Sequence, residues 1–299
     1  MSDTVTLRRT ERSQGRTAVF MVAPAVLLLI VFFAIPVVLG FVLAFTNARL
    51  ISPTPATFTG LDNFTRLVSD PLFWKSLRNT AYFALVVVPL QSGFALVLAL
   101  LVNQKTRGTN FFRTLYFVPV VTSIVVVSIL WRFMYQPDGL VNNILQTVTF
   151  NAVQGTDWLN NPAAAMPAII AMSIWQAVGF HMVIWLSGLQ TISAELYEAA
   201  ALDGASPWQR FWNVTWPGLR DTRTFILVTI TIAALSLFAQ IDVMTKGGPL
   251  DSTSTVVYQA VRSGYAQQET GYASAISLVF FALVLAVSLT QRYLTRDKD

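Results

Sequence analysis

Glu198-Ala-Ala-Ala-Leu-Asp-Gly204, followed by Ala205 to Asn213 and then Val214-Thr-Trp-Pro217, is a polar, glycine-broken stretch set between two apolar runs. Ser193 to Leu202 reads as a helix: it is rich in alanine and carries Glu195 and Glu198 in its first turns, where carboxylates are favoured by the helix dipole. Gly204 is placed to stop it, because the residue just past a helix end often needs the left-handed conformation. Ser206-Pro207 then opens a second short helix, with Ser as N-cap and Pro at the first helical position. Trp208, Phe211 and Trp212 give it an aromatic face, and Pro217 is expected to end it. On composition alone the pair could lie at the headgroup level, its tryptophans in the interface. Such a capped hairpin is more than a connection between spans requires, so its reader is a partner on the aqueous side.

Six apolar runs surround this loop: Ala18 to Phe45, Thr80 to Val102, Leu115 to Phe133, Ala163 to Leu189, Phe225 to Ile241 and Ala273 to Leu289. Each approaches or exceeds the length that crosses a bilayer as a helix. Of the 299 residues 54% are hydrophobic and only 12% charged, with a mean hydropathy of +0.57, so the expectation is an all-α integral membrane protein. Residues 1–17, 103–113, 190–224 and 292–299 hold 13 of the 20 Lys and Arg, which places both termini and the Glu198 loop in the cytoplasm. The expected organisation is a cytoplasmic tail over 1–17, a six-span domain over 18–291 with a cytoplasmic loop at about 190–222, and a second tail over 292–299. The net charge of +5 follows from this inside bias, and nucleic acid is not an expected partner.

Several classes are disfavoured. There is no Cys and one His, His181, which removes disulfides, thiolate chemistry and His-cluster metal sites. His181 and Ser187 lie six residues apart on one helix and point to different faces, so they form no hydrolase dyad. All 15 Asp and Glu fall in loops or at span ends, whereas an ion-coupled transporter usually keeps a carboxylate inside a span. No nucleotide-cradling G-x-x-x-x-G-K-[ST] occurs, so ATP and Mg, if used, are bound by another chain.

The loop resembles the EAA loop of binding-protein-dependent ABC importer permeases. Glu198, Ala199, Ala200, Gly204 and Pro217 stand at that loop's spacing, Val214 replaces its Ile, and Trp216 stands where Leu is usual. Gly60-Leu-Asp-Asn-Phe64, Asp70-Pro, Phe112-Arg113, Gly139-Leu-Val-Asn142, Trp158-Leu, Thr245-Lys-Gly-Gly-Pro249 and Gly271-Tyr-Ala-Ser-Ala275 are similar, in order, to segments of the sugar-permease branch. The chain looks most like the first permease subunit of maltose and glycerol-3-phosphate type systems. That resemblance implies the type I ABC importer transmembrane-domain fold with six transmembrane helices in a bacterial inner membrane. It also implies a second permease subunit, two copies of an ABC ATPase and an extracytoplasmic solute-binding protein as partners. Coupling to the ATPase would fall to Glu198, Ala199, Ala200, Asp203, Gly204 and Pro217. The chain itself would catalyse no reaction.

For the substrate pathway the candidates are Trp175, Gln176 and Phe180 on the fourth run, and Ser236 and Gln240 on the fifth, in a stripe with Thr229 and Ala233. Aromatic faces, amides and hydroxyls suit a sugar, and the same residue types also serve helix packing. Glycerol-3-phosphate or a related phosphodiester is the alternative solute, and the absence of a basic residue from the middle of every run favours a neutral one.

Overall fold

A computed structural model describes residues 20–104, 108–150 and 155–295; the expected tail 1–17 and the end of the tail 292–299 lie outside them. The described residues are helical in chain order: α1 Phe20–Leu43, α2 Asp62–Ser69, α3 Pro71–Val102, α4 Thr109–Val121, α5 Ile124–Met134, α6 Leu140–Val148, α7 Ala165–Thr191, α8 Ala194–Leu202, α9 Pro207–Arg210, α10 Arg220–Leu235, α11 Ala239–Met244, α12 Val256–Val261 and α13 Thr270–Thr295. Five helical stretches are long and apolar enough to cross a membrane, and the bent pair α4 and α5 supplies a sixth if it counts as one span.

The chain forms two compact units, residues 1–67 with 263–278 and residues 68–262 with 279–299. In the first, the end of α1 is held by Asn63, whose Nδ2 donates to the carbonyls of Ala44 at 2.9 Å and Thr46 at 2.8 Å. Gly271 approaches the same turn so closely that a Cβ would sit 2.1 Å from the Thr46 oxygen, while its N–H donates to Ala48 at 2.8 Å. Arg66 pairs with Glu269 at 2.8 Å and lies 4.0 Å over the Tyr272 ring. These contacts give the Gly60–Phe64 and Gly271–Ala275 stretches a structural task.

The second unit is built on the packing of α3 against α7, with α4 and α10 beside them. Asp70 caps α3 by accepting from Leu72 N–H at 2.8 Å, and its other oxygen accepts from Gln259 at 3.0 Å. Buried polar groups join the two main helices: His181 Nδ1 lies 2.9 Å from Gln91 Nε2 and 3.0 Å from the Ala177 oxygen, and Trp185 donates to the Ser92 carbonyl at 3.2 Å. Neither partnership across some 90 residues is readable from one sequence.

Three expectations about shape are corrected. The third apolar run is not one straight rod: α4 and α5 meet at 97°, with Thr122 and Ser123 extended between them. The sequence hid this break because both flanks are equally apolar. The freed carbonyls find other donors, Val118 from the Thr122 hydroxyl at 3.2 Å and Pro119 from Gln176 at 3.5 Å. The fifth run keeps a single span over Arg220–Met244, but its helix is locally interrupted at Ser236–Phe238, where the buried Thr255 hydroxyl donates to the Leu237 carbonyl at 2.8 Å.

Nor does Pro217 end its element. The chain widens into a π turn over Phe211–Thr215, with Trp216 N–H donating to the Phe211 oxygen, and helix continues through Trp216–Gly218. A proline ring crowds the carbonyl four residues back and brings no N–H, and a wider turn accommodates both. α1 does the same: the π turn Ile30–Ala34 precedes Pro36 at the same spacing.

At the opposite end of α7 from the Glu198 loop, Asn142 organises the connecting segments. It is 1% exposed, its Nδ2 donates to the carbonyls of Gln136, Pro137 and Thr156, and its Oδ1 accepts from Thr156 N–H and Trp158 Nε1. Asn142→Ala would strand several of these groups and is expected to cost about 3 kcal/mol, read as a lowered unfolding temperature of the detergent-purified chain; an unchanged temperature would contradict this role.

Candidate functional site

The Glu198 loop has the geometry its residues predict. Ser193 caps α8 through Glu195 N–H at 3.2 Å. Gly204, at φ +76, closes it: Gly204 N–H donates to Ala201 and Ala205 N–H to Ala200, the paired bonds of a left-handed C-terminal cap. Ala200 is therefore the acceptor that ends the helix. Ser206 and Gln209 form a capping box, with Gln209 Oε1 accepting from Ser206 N–H at 2.7 Å.

What α8 shows to its surroundings matters most. None of its residues is buried; Glu198, Ala199, Asp203 and Gly204 are exposed, and Leu202 is 90% exposed. Among the described residues Glu198 has no hydrogen-bond or ion partner. Beyond Gly204, Trp208 is 70% exposed, while the rings of Trp208, Phe211, Trp212 and Trp216 pack with centroids 5.2–6.2 Å apart. Arg223 covers Trp216 at 4.6 Å. Pro217 is exposed on the following turn.

This exposed hairpin is firmly mounted. Tyr197, on the other side of α8 from solvent, bonds the buried Thr215 hydroxyl at 3.0 Å. At the base, a Cβ on Gly188 would meet the Thr222 side chain at 2.3 Å and one on Gly218 would meet the Ile192 side chain at 2.9 Å, so these glycines leave the room that the Thr222 and Ile192 side chains fill where the end of α7 lies against the start of α10. Tyr197, Thr215, Gly188 and Gly218 were not singled out from sequence. The two glycines gave no turn signal, since what they permit is close approach.

The pathway candidates divide. Trp175, Gln176 and Phe180 lie along α7: Trp175 is 46% exposed with its ring 5.5 Å from Trp131, Phe180 is 45% exposed with its ring edge-on to His181, and half-buried Gln176 serves the Pro119 carbonyl. Ser236 is exposed at the break after α10, and Gln240 belongs to α11, so the expected stripe from Thr229 to Gln240 is interrupted. Gly179, between Gln176 and the coupling end, brings α4 against α7: a Cβ there would lie 1.9 Å from the Tyr116 oxygen. Among the described residues no cluster of His, Asp or Glu could hold a metal ion.

Residues 91–299 match the family model described as binding-protein-dependent transport system inner membrane component. The chain belongs to that family of ABC importer permeases. It is 36% identical over 281 residues to the lactose transport system permease protein LacF of Rhizobium radiobacter, covering 93% of each chain. It is 32% identical over 273 residues to the sn-glycerol-3-phosphate transport system permease protein UgpA of Brucella suis, covering 91% of this chain and 92% of the other. A chain of a bacterial alginate ABC transporter, solved in complex with an alginate pentasaccharide-bound periplasmic protein, superposes with a TM-score of 0.84 at 23% identity, over 96% of both. The permease thus has the fold expected of a type I importer subunit, crosses the inner membrane several times, works with a binding protein and an ATPase, and is a transport component rather than an enzyme.

Tyr197→Phe removes the one hydroxyl that ties α8 to Thr215, a loss of about 1 kcal/mol. Faster amide exchange confined to residues 194–204, with the apolar helices unchanged, is the expected result; a uniform change across the chain would contradict the anchoring role.

Proposed function

We propose that this permease is one of two transmembrane subunits of an ATP-driven sugar importer, and that α8 with the following aromatic turn is its docking element for the ATPase. One observation carries the reading: a helix with no buried residue, bearing an unpartnered carboxylate, follows directly on α7 and is tied through Tyr197 to Thr215 on the stretch that leads into α10. An exposed element so mounted moves with α7 and α10 as a body, which is what alternating access driven from outside the membrane requires. In this reading Glu198 offers charge-assisted hydrogen bonds to the ATPase. Asp203 and Gly204 set the turn, Ala199 and Ala200 keep the contact face small, and Pro217 fixes the exit.

The remaining parts follow from the same reading. A second permease subunit supplies the other wall of the pathway, two ATPase copies dock on the cytoplasmic side, and the solute-binding protein delivers from the other. The loop and both tails are cytoplasmic, in line with the Lys and Arg bias, and residues 18–291 form the permease domain. Trp175, Gln176, Phe180, Ser236 and Gln240 are the residues offered to the solute. Similarity to a lactose permease supports a saccharide, and similarity to UgpA supports glycerol-3-phosphate or a related phosphodiester as the alternative. Membership of an ABC family leaves an ion-coupled mechanism without support.

The test is ATP hydrolysis by the complex reassembled in nanodiscs with its partner chains. Loaded binding protein is expected to stimulate hydrolysis at least about tenfold less in Glu198→Lys than in the unchanged complex, because a cation replaces the anion at the docking face. Normal stimulation and uptake with Glu198→Lys would remove α8 from the coupling role.

A further inference from the structure

We propose that the cavity between the end of α5, the turn at 155–160 and the loop at 243–249 is a binding site for an anionic saccharide unit, one bearing a carboxylate, sulfonate or phosphate. The inference rests on the sugar-importer reading and refines its substrate class. The cavity measures about 350 Å³, within the usual size of small-molecule sites. Arg132 and Lys246 line it, with Gln136, Asn160 and Asp157.

Charge decides the occupant. Asp157 is already engaged: Oδ1 accepts from Asn160 N–H at 3.3 Å and from Asn160 Nδ2 at 3.2 Å, and Oδ2 accepts from Nδ2 at 3.0 Å. Among the described residues the side chains of Arg132 and Lys246 have neither a hydrogen bond nor an ion pair, the Lys246 backbone N–H alone donating to Ile241 at 2.7 Å. Two unmatched cations facing one committed carboxylate leave the cavity positive. Arginine offers a planar fork that matches carboxylate and sulfonate oxygens, and lysine adds a point charge. The Gln136 and Asn160 amides beside them suit sugar hydroxyls, which an acidic side chain of a protein would not use.

The walls are fixed in advance, which lowers the cost of binding. Asn142 pins Gln136, Pro137 and Thr156 beside the cavity. On the other wall the Thr253 hydroxyl bridges Thr245 and the Gly248 carbonyl, each at 2.7 Å. The adjoining turn takes left-handed backbone at Lys246 and Gly247, where a Cβ on Gly247 would meet the Tyr258 ring at 2.7 Å. The cavity stands at the start of α7, whose 27 residues separate it from the ATPase-docking loop by about 40 Å. It is therefore placed to receive a solute at the end opposite the ATPase. The sequence favoured a neutral solute because no basic residue falls mid-span; Arg132 acts instead from the last turn of α5 and Lys246 from just beyond the end of α11.

The experiment compares binding of glucuronate and glucose to the reassembled complex without binding protein, by titration calorimetry at low and raised salt. Glucuronate is expected to bind about tenfold more tightly or better, the range of charge-assisted hydrogen bonds, with the preference shrinking as salt rises. Arg132→Gln with Lys246→Gln is expected to abolish the preference, and Arg132→Lys to retain part of it, which separates loss of charge from loss of fold. Equal affinity for the two sugars, or a preference untouched by the double substitution, would overturn the site. So would a double variant that loses only affinity for the binding protein, since the cations would then belong to a protein interface. ATPase stimulation in the same preparations keeps the readings apart: stimulation without glucuronate preference removes the site alone, and preference without stimulation removes the importer reading alone.

Discussion

A carbonyl that loses its in-helix donor within an apolar layer must be given another, because no water is there to serve it. Several contacts of this permease answer that demand. Gln176 reaches Pro119 where α4 breaks from α5, Thr255 reaches Leu237 where α10 breaks from α11, and Arg113 reaches the Val102 carbonyl at the end of α3 at 3.0 Å. Asn63 does the same at the end of α1. Each is a polar side chain whose presence in a hydrophobic neighbourhood needs a reason, and each break supplies one. The positions of the polar residues and of the interruptions are thus one constraint seen from two sides.

This bears on the candidate pathway. Gln176 was singled out as an amide able to hold a sugar, and its Nε2 is occupied by a backbone carbonyl at the bend. That bond commits one N–H, and the amide keeps its second N–H and its Oε1. Trp175 and Phe180, by contrast, keep nearly half of their surface free while leaning on Trp131 and His181. Their exposed faces carry no bond that would first have to be broken.

What could be read from the sequence was local. The six apolar runs, the Ser193 and Ser206 caps, the left-handed Gly204 and the aromatic face of Trp208, Phe211 and Trp212 all follow from spacing within about one turn of helix. The 97° bend at Thr122–Ser123 did not, because Pro119 sits in an ordinary helical turn and the residues that bend carry no distinctive composition. The clamps at Gly188 and Gly218 and the Gln91–His181 pair depend on which helix lies opposite, and a single chain read in order does not say. The charged cavity escaped for the same reason: Arg132 and Lys246 are 114 positions apart and each reads alone as a flank residue.

The π turn before Pro217 has a consequence for the family pattern at Trp216. In a regular α-helix a residue five positions on from Phe211 would point about 140° away from it. The widened turn draws position 216 back toward the same side, and the Phe211 and Trp216 rings come to lie 6.2 Å apart. The Trp216 ring thus becomes the fourth member of an aromatic cluster, packed mostly edge to face, with the Arg223 guanidinium over it. The turn that accommodates the proline thus also sets the direction of that ring, and shortening it by one residue would swing the ring away from its neighbours.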